Sequence, residues 1–154
     1  MDKRQKSILA ESITVIIITV VAVVGLVNFK DYVNRSETLQ AMRVVGAGII
    51  AFQEKNGMLP QEGYIEQLRE EIKKGEIKGG VRMGNLQYRG LFIEPHSEPN
   101  EILLYSKKEY SSSFLDDGYA VLFLDGTVKW MDVDKFNDLL SHQQTDYEKH
   151  IYKK

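Results

Sequence analysis

The sequence has no cysteine among its 154 residues, and it has only three histidines and one tryptophan. The absence of cysteine excludes a disulfide framework and a thiolate site. The histidines, His96, His142 and His150, are scattered without the spacing of zinc ligands. The net charge is −2, with 20 basic and 22 acidic residues, so the basic excess of nucleic-acid-binding proteins is missing. We therefore expect no metal, no cofactor, no nucleic acid partner and no enzymatic activity.

What the sequence has is a long uncharged stretch, Ser12–Phe29 (SITVIIITVVAVVGLVNF). A helix of this length spans about 27 Å, close to the ~30 Å hydrocarbon core of a bilayer. In lipid a lone segment must satisfy its own backbone hydrogen bonds, which favours a helix despite the many β-branched residues. We predict a transmembrane helix over residues 8–30. The alternative is the buried core helix of a small domain, which would hardly cover it on all faces.

The flanks of this stretch predict its orientation. Lys3, Arg4 and Lys6 precede it, with only Asp2 opposing them. A basic flank of this kind stays in the cytoplasm. We predict a single pass through the inner (cytoplasmic) membrane, with the N-terminus cytoplasmic and the following domain periplasmic or otherwise extracytoplasmic. The residues around Gly25 form no small-x-small cleavage site, so a retained anchor is preferred to a secretory signal peptide.

One acidic residue, Glu11, stands at the start of the apolar run. A carboxylate at this depth is costly unless it is paired or reaches the headgroups. Two interpretations are open. Glu11 either lies at headgroup level, where the helix dipole favours it, or it pairs with a charge on another copy of the chain.

The segment KRQKSILAESITVIIITVVAVVGLV resembles the N-terminus of type IV pilins and of the pseudopilins of type II secretion systems. That family has a short basic leader, a peptidase site, a glutamate five residues into the mature chain and a long apolar helix. Glu11 matches the glutamate if the mature chain starts at Ser7, and Lys6 then stands where the family has Gly or Ala. The resemblance implies processing at Lys6 or Ser7 by a prepilin peptidase. It also implies assembly through Glu11 with other copies and other pilin-like subunits.

The chain divides into a basic leader (1–7), the transmembrane helix (8–30), an extracytoplasmic domain (31–142) and a polar, loosely held tail (143–154). The helix is predicted to continue through Asp31–Lys55, because five apolar residues recur there on one face: Leu39, Met42, Val45, Ile49 and Phe52. A second, amphipathic helix is predicted over Tyr64–Lys74, followed by a basic loop, Lys73–Gly80.

A glycine-rich string within the first helix, Gly46–Ala51 (GAGIIA), imitates a dinucleotide-binding fingerprint. That fingerprint needs a strand before it, whereas here the helical period runs straight through. We interpret Gly46 and Gly48 as close-packing positions.

The remaining residues predict a sheet and a last helix. The first predicted strand is Asn85–Glu94, either continuous or as two short pieces broken at Gly90. The other predicted strands are Glu101–Ser106, Tyr119–Leu124 and Thr127–Met131, and the helix is Val133–Ser141 with Asp132 as its cap. Asp125 and Gly126 predict a two-residue hairpin turn. We expect an α+β fold: a long N-terminal helix, its first half transmembrane, packed on a small antiparallel sheet with a short C-terminal helix. The pseudopilin resemblance implies the same arrangement.

The hairpin segment YAVLFLDGTVKWMDVDKFNDLL resembles the C-terminal module of bacterial pilin-like proteins named for a His-x9-Asp-Gly pattern. The matching residues are Phe123, Asp125, Gly126, Val128 and Trp130. The histidine of the pattern has no counterpart, since Leu115 stands in that region.

An acidic pair, Asp116 and Asp117, lies in the predicted loop before the hairpin. Pseudopilins often hold calcium in such a loop, so the resemblance makes these carboxylates candidate ligands, but no EF-hand spacing is present and turn chemistry explains them without a metal ion. The preferred function is a membrane-anchored pseudopilin-like subunit that assembles through its N-terminal helix into a type II secretion or type IV pilus-like filament. The alternative is a single-pass anchored binding domain that does not polymerise.

Overall fold

The structure, a computed structural model, describes residues 3–75, 81–94, 97–111 and 113–152. The helices are α1 (Lys3–Asn56), α2 (Glu62–Lys74), α3 (Val133–Gln143) and α4 (Asp146–Tyr152), with a 3-10 turn at Val81–Met83. The strands are β1 (Gln87–Tyr88), β2 (Ile102–Lys108), β3 (Gly118–Phe123) and β4 (Val128–Asp132). They form one antiparallel sheet in the order β1-β2-β3-β4. The predicted α+β class is confirmed.

Helix α1 is continuous over 54 residues, as predicted for the anchor and the segment after it. Its second half packs on the sheet through a buried face that includes Met42, Val45 and Ile49. The glycines of the GAGIIA string are close-packing positions. A Cβ on Gly46 would lie 2.7 Å from Leu122 Cδ1 in β3, and one on Gly48 would lie 2.9 Å from a methyl carbon of Leu68 in α2.

The sheet separates two hydrophobic clusters. The larger one lies between the sheet, α1 and α2, and includes Ile65 and Leu104. The smaller one lies under α3, where Phe136 packs with Ile102 and Val121. The ring of Phe136 stacks on that of Tyr119 with 3.7 Å between centroids. Since both faces of the sheet are covered, the domain has helices on either side of its strands.

Strand β1 is much shorter than the predicted strand Asn85–Glu94. Gln87 and Tyr88 pair with β2, the Arg89 N–H donates to the Leu103 carbonyl at 2.9 Å, and the strand ends before Gly90, where the sequence offered a break. The chain then turns, because the Phe92 N–H donates to the carbonyl of Arg89 at 2.8 Å. Conversely, β2 runs to Lys108, two residues beyond the predicted end.

The β3–β4 hairpin lies where the sequence predicts it, but its turn is longer than two residues. The Phe123 N–H donates to the Thr127 carbonyl at 2.9 Å, which leaves three residues in the loop. The Gly126 N–H closes a turn on the Phe123 carbonyl, and only Gly126 adopts a positive φ, +83°. Three-residue hairpin loops commonly have a left-handed glycine at this point.

The C-terminal segment differs most from expectation. Helix α3 extends to Gln143. Asp132 occupies its N-cap position as predicted, but its carboxylate makes no capping hydrogen bond and instead lies 2.9 Å from Lys135 Nζ. The predicted loose tail instead forms α4, in which Glu148 is completely buried. The predicted loop Lys73–Gly80 lies for the most part outside the described residues.

Candidate functional site

The first half of α1 is an apolar helix that touches little of the rest of the chain. Its most apolar 18-residue window is 0% buried, and by length and composition the helix could cross a membrane. Side chains such as Val21, Leu26 and Phe29 stand exposed. The alternative of a buried core helix is therefore wrong.

Three polar side chains of this apolar stretch bond to carbonyls of their own helix. The hydroxyls of Thr14 and Thr19 each donate at 2.9 Å to a carbonyl one turn earlier, and the Asn28 amide does the same at 2.8 Å. Polar groups satisfied in this way can enter hydrocarbon without a partner from outside.

The predicted processing and assembly residues lie together at the start of α1. The Ser7 hydroxyl donates a hydrogen bond to Glu11 Oε1 at 3.1 Å, one turn apart on the exposed surface. Lys6 lies on the same exposed turn. The sequence left open whether Glu11 lies at headgroup level or pairs with another copy of the chain, and the structure adds a hydrogen-bond partner within the same chain.

The five hairpin residues of the predicted motif connect the sheet to its neighbours. Phe123 is buried at the end of β3, and Val128 packs against the larger cluster. Asp125 Oδ1 accepts the Thr127 N–H at 2.8 Å and so shapes the loop. Both Gly126 and Trp130 face α1, as described next.

Two contacts attach the hairpin to the packed half of α1. A Cβ on Gly126 would collide with Ile50 Cδ1, so the loop approaches the helix closely. Further along, the Arg35 guanidinium lies 4.1 Å from the centre of the Trp130 ring, a cation–π contact. Gly126 and Trp130 therefore fit the hairpin against the helix.

A groove of about 580 Å³ opens beside β4. Its lining carries two aromatic rings, Phe123 and Trp130, and charges of both signs: Arg35, Asp125, Lys129, Asp132 and Lys135. The Lys135 ammonium beside Asp132 holds the pKa of that carboxyl below its usual range, and the carboxylate raises the pKa of Lys135. Among the residues that line this groove, none pairs a nucleophile with a general base.

One residue of the acidic pair before the hairpin, Asp117, forms a hydrogen bond with the loop backbone. Asp117 Oδ1 accepts the Tyr110 N–H at 2.6 Å, while Asp116 is exposed. Within the described ranges, no group of three or more His, Cys, Asp or Glu side chains could hold a metal ion. Turn chemistry accounts for Asp117.

A buried ion pair that the sequence analysis missed attaches α4 to the sheet. Arg89 is 1% exposed, and its Nε and Nη2 atoms bond to the two carboxylate oxygens of Glu148 at 2.6 and 3.0 Å. The same guanidinium donates to the carbonyls of Ile102 and Gln143. The available signal was weak: an arginine within the apolar segment Leu86–Ile93. This network is well satisfied and has no open position for a ligand, so we regard it as structural.

Comparison of the chain with protein-family models, with curated proteins and with solved structures returned no match.

Proposed function

We propose that the protein is a membrane-anchored structural subunit of the pseudopilin type. Its apolar helix would be held in the inner membrane and would then pack against the helices of other copies or other pilin-like subunits in a type II secretion or type IV pilus-like filament. The basic residues Lys3, Arg4 and Lys6 support a cytoplasmic N-terminus and an extracytoplasmic domain.

One observation carries this proposal: the N-terminal half of α1 is exposed, whereas its C-terminal half is packed in the domain core. The bare half is apolar and 0% buried in its central window, whereas the other half lies in the domain core. An apolar helix surface needs either lipid or other apolar helices around it. A subunit that moves from a bilayer into a bundle of such helices has lipid around its apolar helix first and other apolar helices afterwards.

The alternative, a plain single-pass anchor with a binding domain, is supported by two features. Glu11 already accepts a hydrogen bond from Ser7, and Lys6 stands at the position where the family has a small residue. A plain anchor keeps Met1. A processed subunit loses six or seven residues beside Lys6 or Ser7, which the intact mass of protein from native membranes would reveal.

Crosslinking in membranes tests assembly directly. Because the chain has no cysteine, a Val20→Cys variant carries one reactive thiol in the middle of the apolar stretch. We expect disulfide-linked dimers in this background and their loss on adding Glu11→Gln, since the neutral side chain cannot pair with an ammonium group of a neighbour.

The matched control is Glu54→Gln, which removes the same charge from the exposed far end of α1. Equal crosslinking with and without Glu11 would refute pairing through this residue. Absence of any crosslink in the Val20→Cys background would refute assembly and favour the plain anchor.

A further inference from the structure

The loop between β2 and β3 returns to α1 at the end of the apolar stretch. The Phe114 N–H donates to Asn28 Oδ1 at 2.7 Å, across 86 positions of the sequence. Asn28 is the second-last residue of the uncharged stretch, and Lys30 follows it by two positions. If the stretch spans a bilayer, Phe114 therefore lies at the level where hydrocarbon meets headgroups.

This loop is held in place by more than one contact. Asp117 accepts the Tyr110 N–H, and the Tyr110 ring lies 5.9 Å from the ring of Trp130. Trp130 in turn lies against Arg35, which follows Asn28 on α1 by about two helical turns. Burial raises the pKa of the Tyr110 phenol, in keeping with its position inside this stack. The loop is thus positioned against α1 at two points, directly at Asn28 and through Trp130 at Arg35.

The side chain at the tip of the loop is nevertheless left in the open. Phe114 is 84% exposed, the highest value among the large apolar residues described as exposed. Phe29 and Tyr32, which follow Asn28 within about one turn of α1, are exposed as well. A single exposed aromatic needs no explanation. Three of them lie around the end of an apolar helix: Tyr32 is of the type that forms aromatic belts at the membrane interface, and Phe29 and Phe114 are of the type that interfacial segments bury in lipid.

We propose that Phe114 is a second membrane contact, which inserts into the interface of the same bilayer that holds α1. The proposal rests on the membrane insertion proposed above and adds a partner, the lipid interface, for the globular domain. With Phe29 and Tyr32 on the helix, Phe114 makes two attachment points instead of one. The domain is then held at a defined angle to the membrane rather than swinging about α1.

Depth-dependent fluorescence quenching tests this contact in the full-length protein. The cysteine-free chain allows a single NBD label at Phe114→Cys, with the protein reconstituted in vesicles of phosphatidylcholine and phosphatidylglycerol. Two quenchers are used: phosphatidylcholine spin-labelled near the top of its acyl chain for position 114, and phosphatidylcholine spin-labelled near the end of that chain for a label in the middle of the bilayer. The matched control is Met58→Cys, an equally apolar side chain, 60% exposed. Met58 lies beyond the far end of α1, about 40 Å along the helix from Asn28.

We expect strong quenching and blue-shifted emission at position 114 and neither at position 58. A third label, Ile18→Cys in the middle of the apolar stretch, reports insertion of α1 itself. Quenching at 18 without quenching at 114 would overturn the loop contact and leave the anchor standing. No quenching at 18 would overturn the anchor, and this proposal with it.

The hydrogen bond from the loop to the helix gives a second test. Asn28→Ala removes the side-chain acceptor for the backbone N–H of residue 114 and leaves that position available for the label. We expect a loss of quenching at a label on position 114 in this background, with quenching at position 18 unaffected. Unchanged quenching at 114 would overturn the positioning role of Asn28.

Discussion

The two ends of this chain reverse the usual relation between polarity and burial. The N-terminal end is apolar and bare, with side chains such as Val21 and Leu26 exposed. The C-terminal end is polar, yet it contributes a fully buried residue, Glu148. The comparison shows that composition alone does not decide whether a segment joins the core. What decides is whether the folded domain supplies partners.

The two glutamates at these ends make the contrast concrete. Glu11 is exposed and accepts one hydrogen bond, from the Ser7 hydroxyl. Glu148 is buried and accepts two charge-assisted hydrogen bonds from Arg89 in a bidentate pair. Such a pair offsets the cost of taking both charges out of water only while it is complete.

The largest effect is expected when the charge of each glutamate is removed in turn. Glu148→Gln leaves the buried guanidinium of Arg89 without its main counter-charge. The other carboxylate nearby, that of Glu101, is 3.9 Å away and therefore too distant to replace it. We expect the free energy of unfolding to fall by about 3–5 kcal/mol. Glu11→Gln should leave it unchanged. Urea unfolding in detergent micelles, followed by the fluorescence of the single tryptophan, measures both.

The comparison would fail if Glu148→Gln unfolded at the same urea concentration as wild type, since the tail would then not belong to the cooperative unit. A charge-conserving variant, Glu148→Asp, keeps the counter-charge and shortens the side chain. The free energy of unfolding of Glu148→Asp should lie between those of wild type and Glu148→Gln.

A smaller effect is expected from truncating isoleucines in the two halves of α1. Ile49 is fully buried in the larger cluster, and Ile49→Ala should lower the free energy of unfolding by about 2–5 kcal/mol. Ile17 is exposed in the apolar stretch, so Ile17→Ala should leave the stability of the domain unchanged. Equal destabilisation in the same urea experiment would show that the bare half contributes to the folded core.

The smallest effect is expected from adding a side chain to two glycines. Gly126 has a φ of +83°, and Gly126→Val should cost on the order of 1–3 kcal/mol of backbone strain, besides the collision with Ile50. Gly25 has nothing within 4 Å of a Cβ, so Gly25→Val should be tolerated. Thermal unfolding of the two variants provides the measurement. An unchanged melting temperature for Gly126→Val would contradict the hairpin geometry.

Much of the fold could be predicted because its signals are local. The 3–4 spacing of Met42, Val45 and Ile49 reports a helical face, and the Asp125–Gly126 pair reports a hairpin. The exact turn was wrong, because loop length depends on how Phe123 and Thr127 pair across the hairpin. Local sequence does not encode that register.

The contacts that could not be predicted join distant parts of the chain. Arg89 and Glu148 are 59 positions apart, and Phe114 and Asn28 are 86 apart. Each residue alone looks like an ordinary surface residue, so the tail appeared loose and the loop appeared unattached. Likewise, β1 ends early because the chain turns at Arg89, whose side chain is committed to the distant carboxylate.

The pairing of Arg89 with Glu148 also sets an order of events during synthesis. The chain is made from its N-terminus, so the arginine emerges 59 residues before the glutamate that neutralises it. The apolar helix can enter a membrane while the domain behind it is still incomplete. A chain stopped anywhere before Glu148 lacks the carboxylate that forms the bidentate pair with this guanidinium, so the pair closes only after Glu148 has been added.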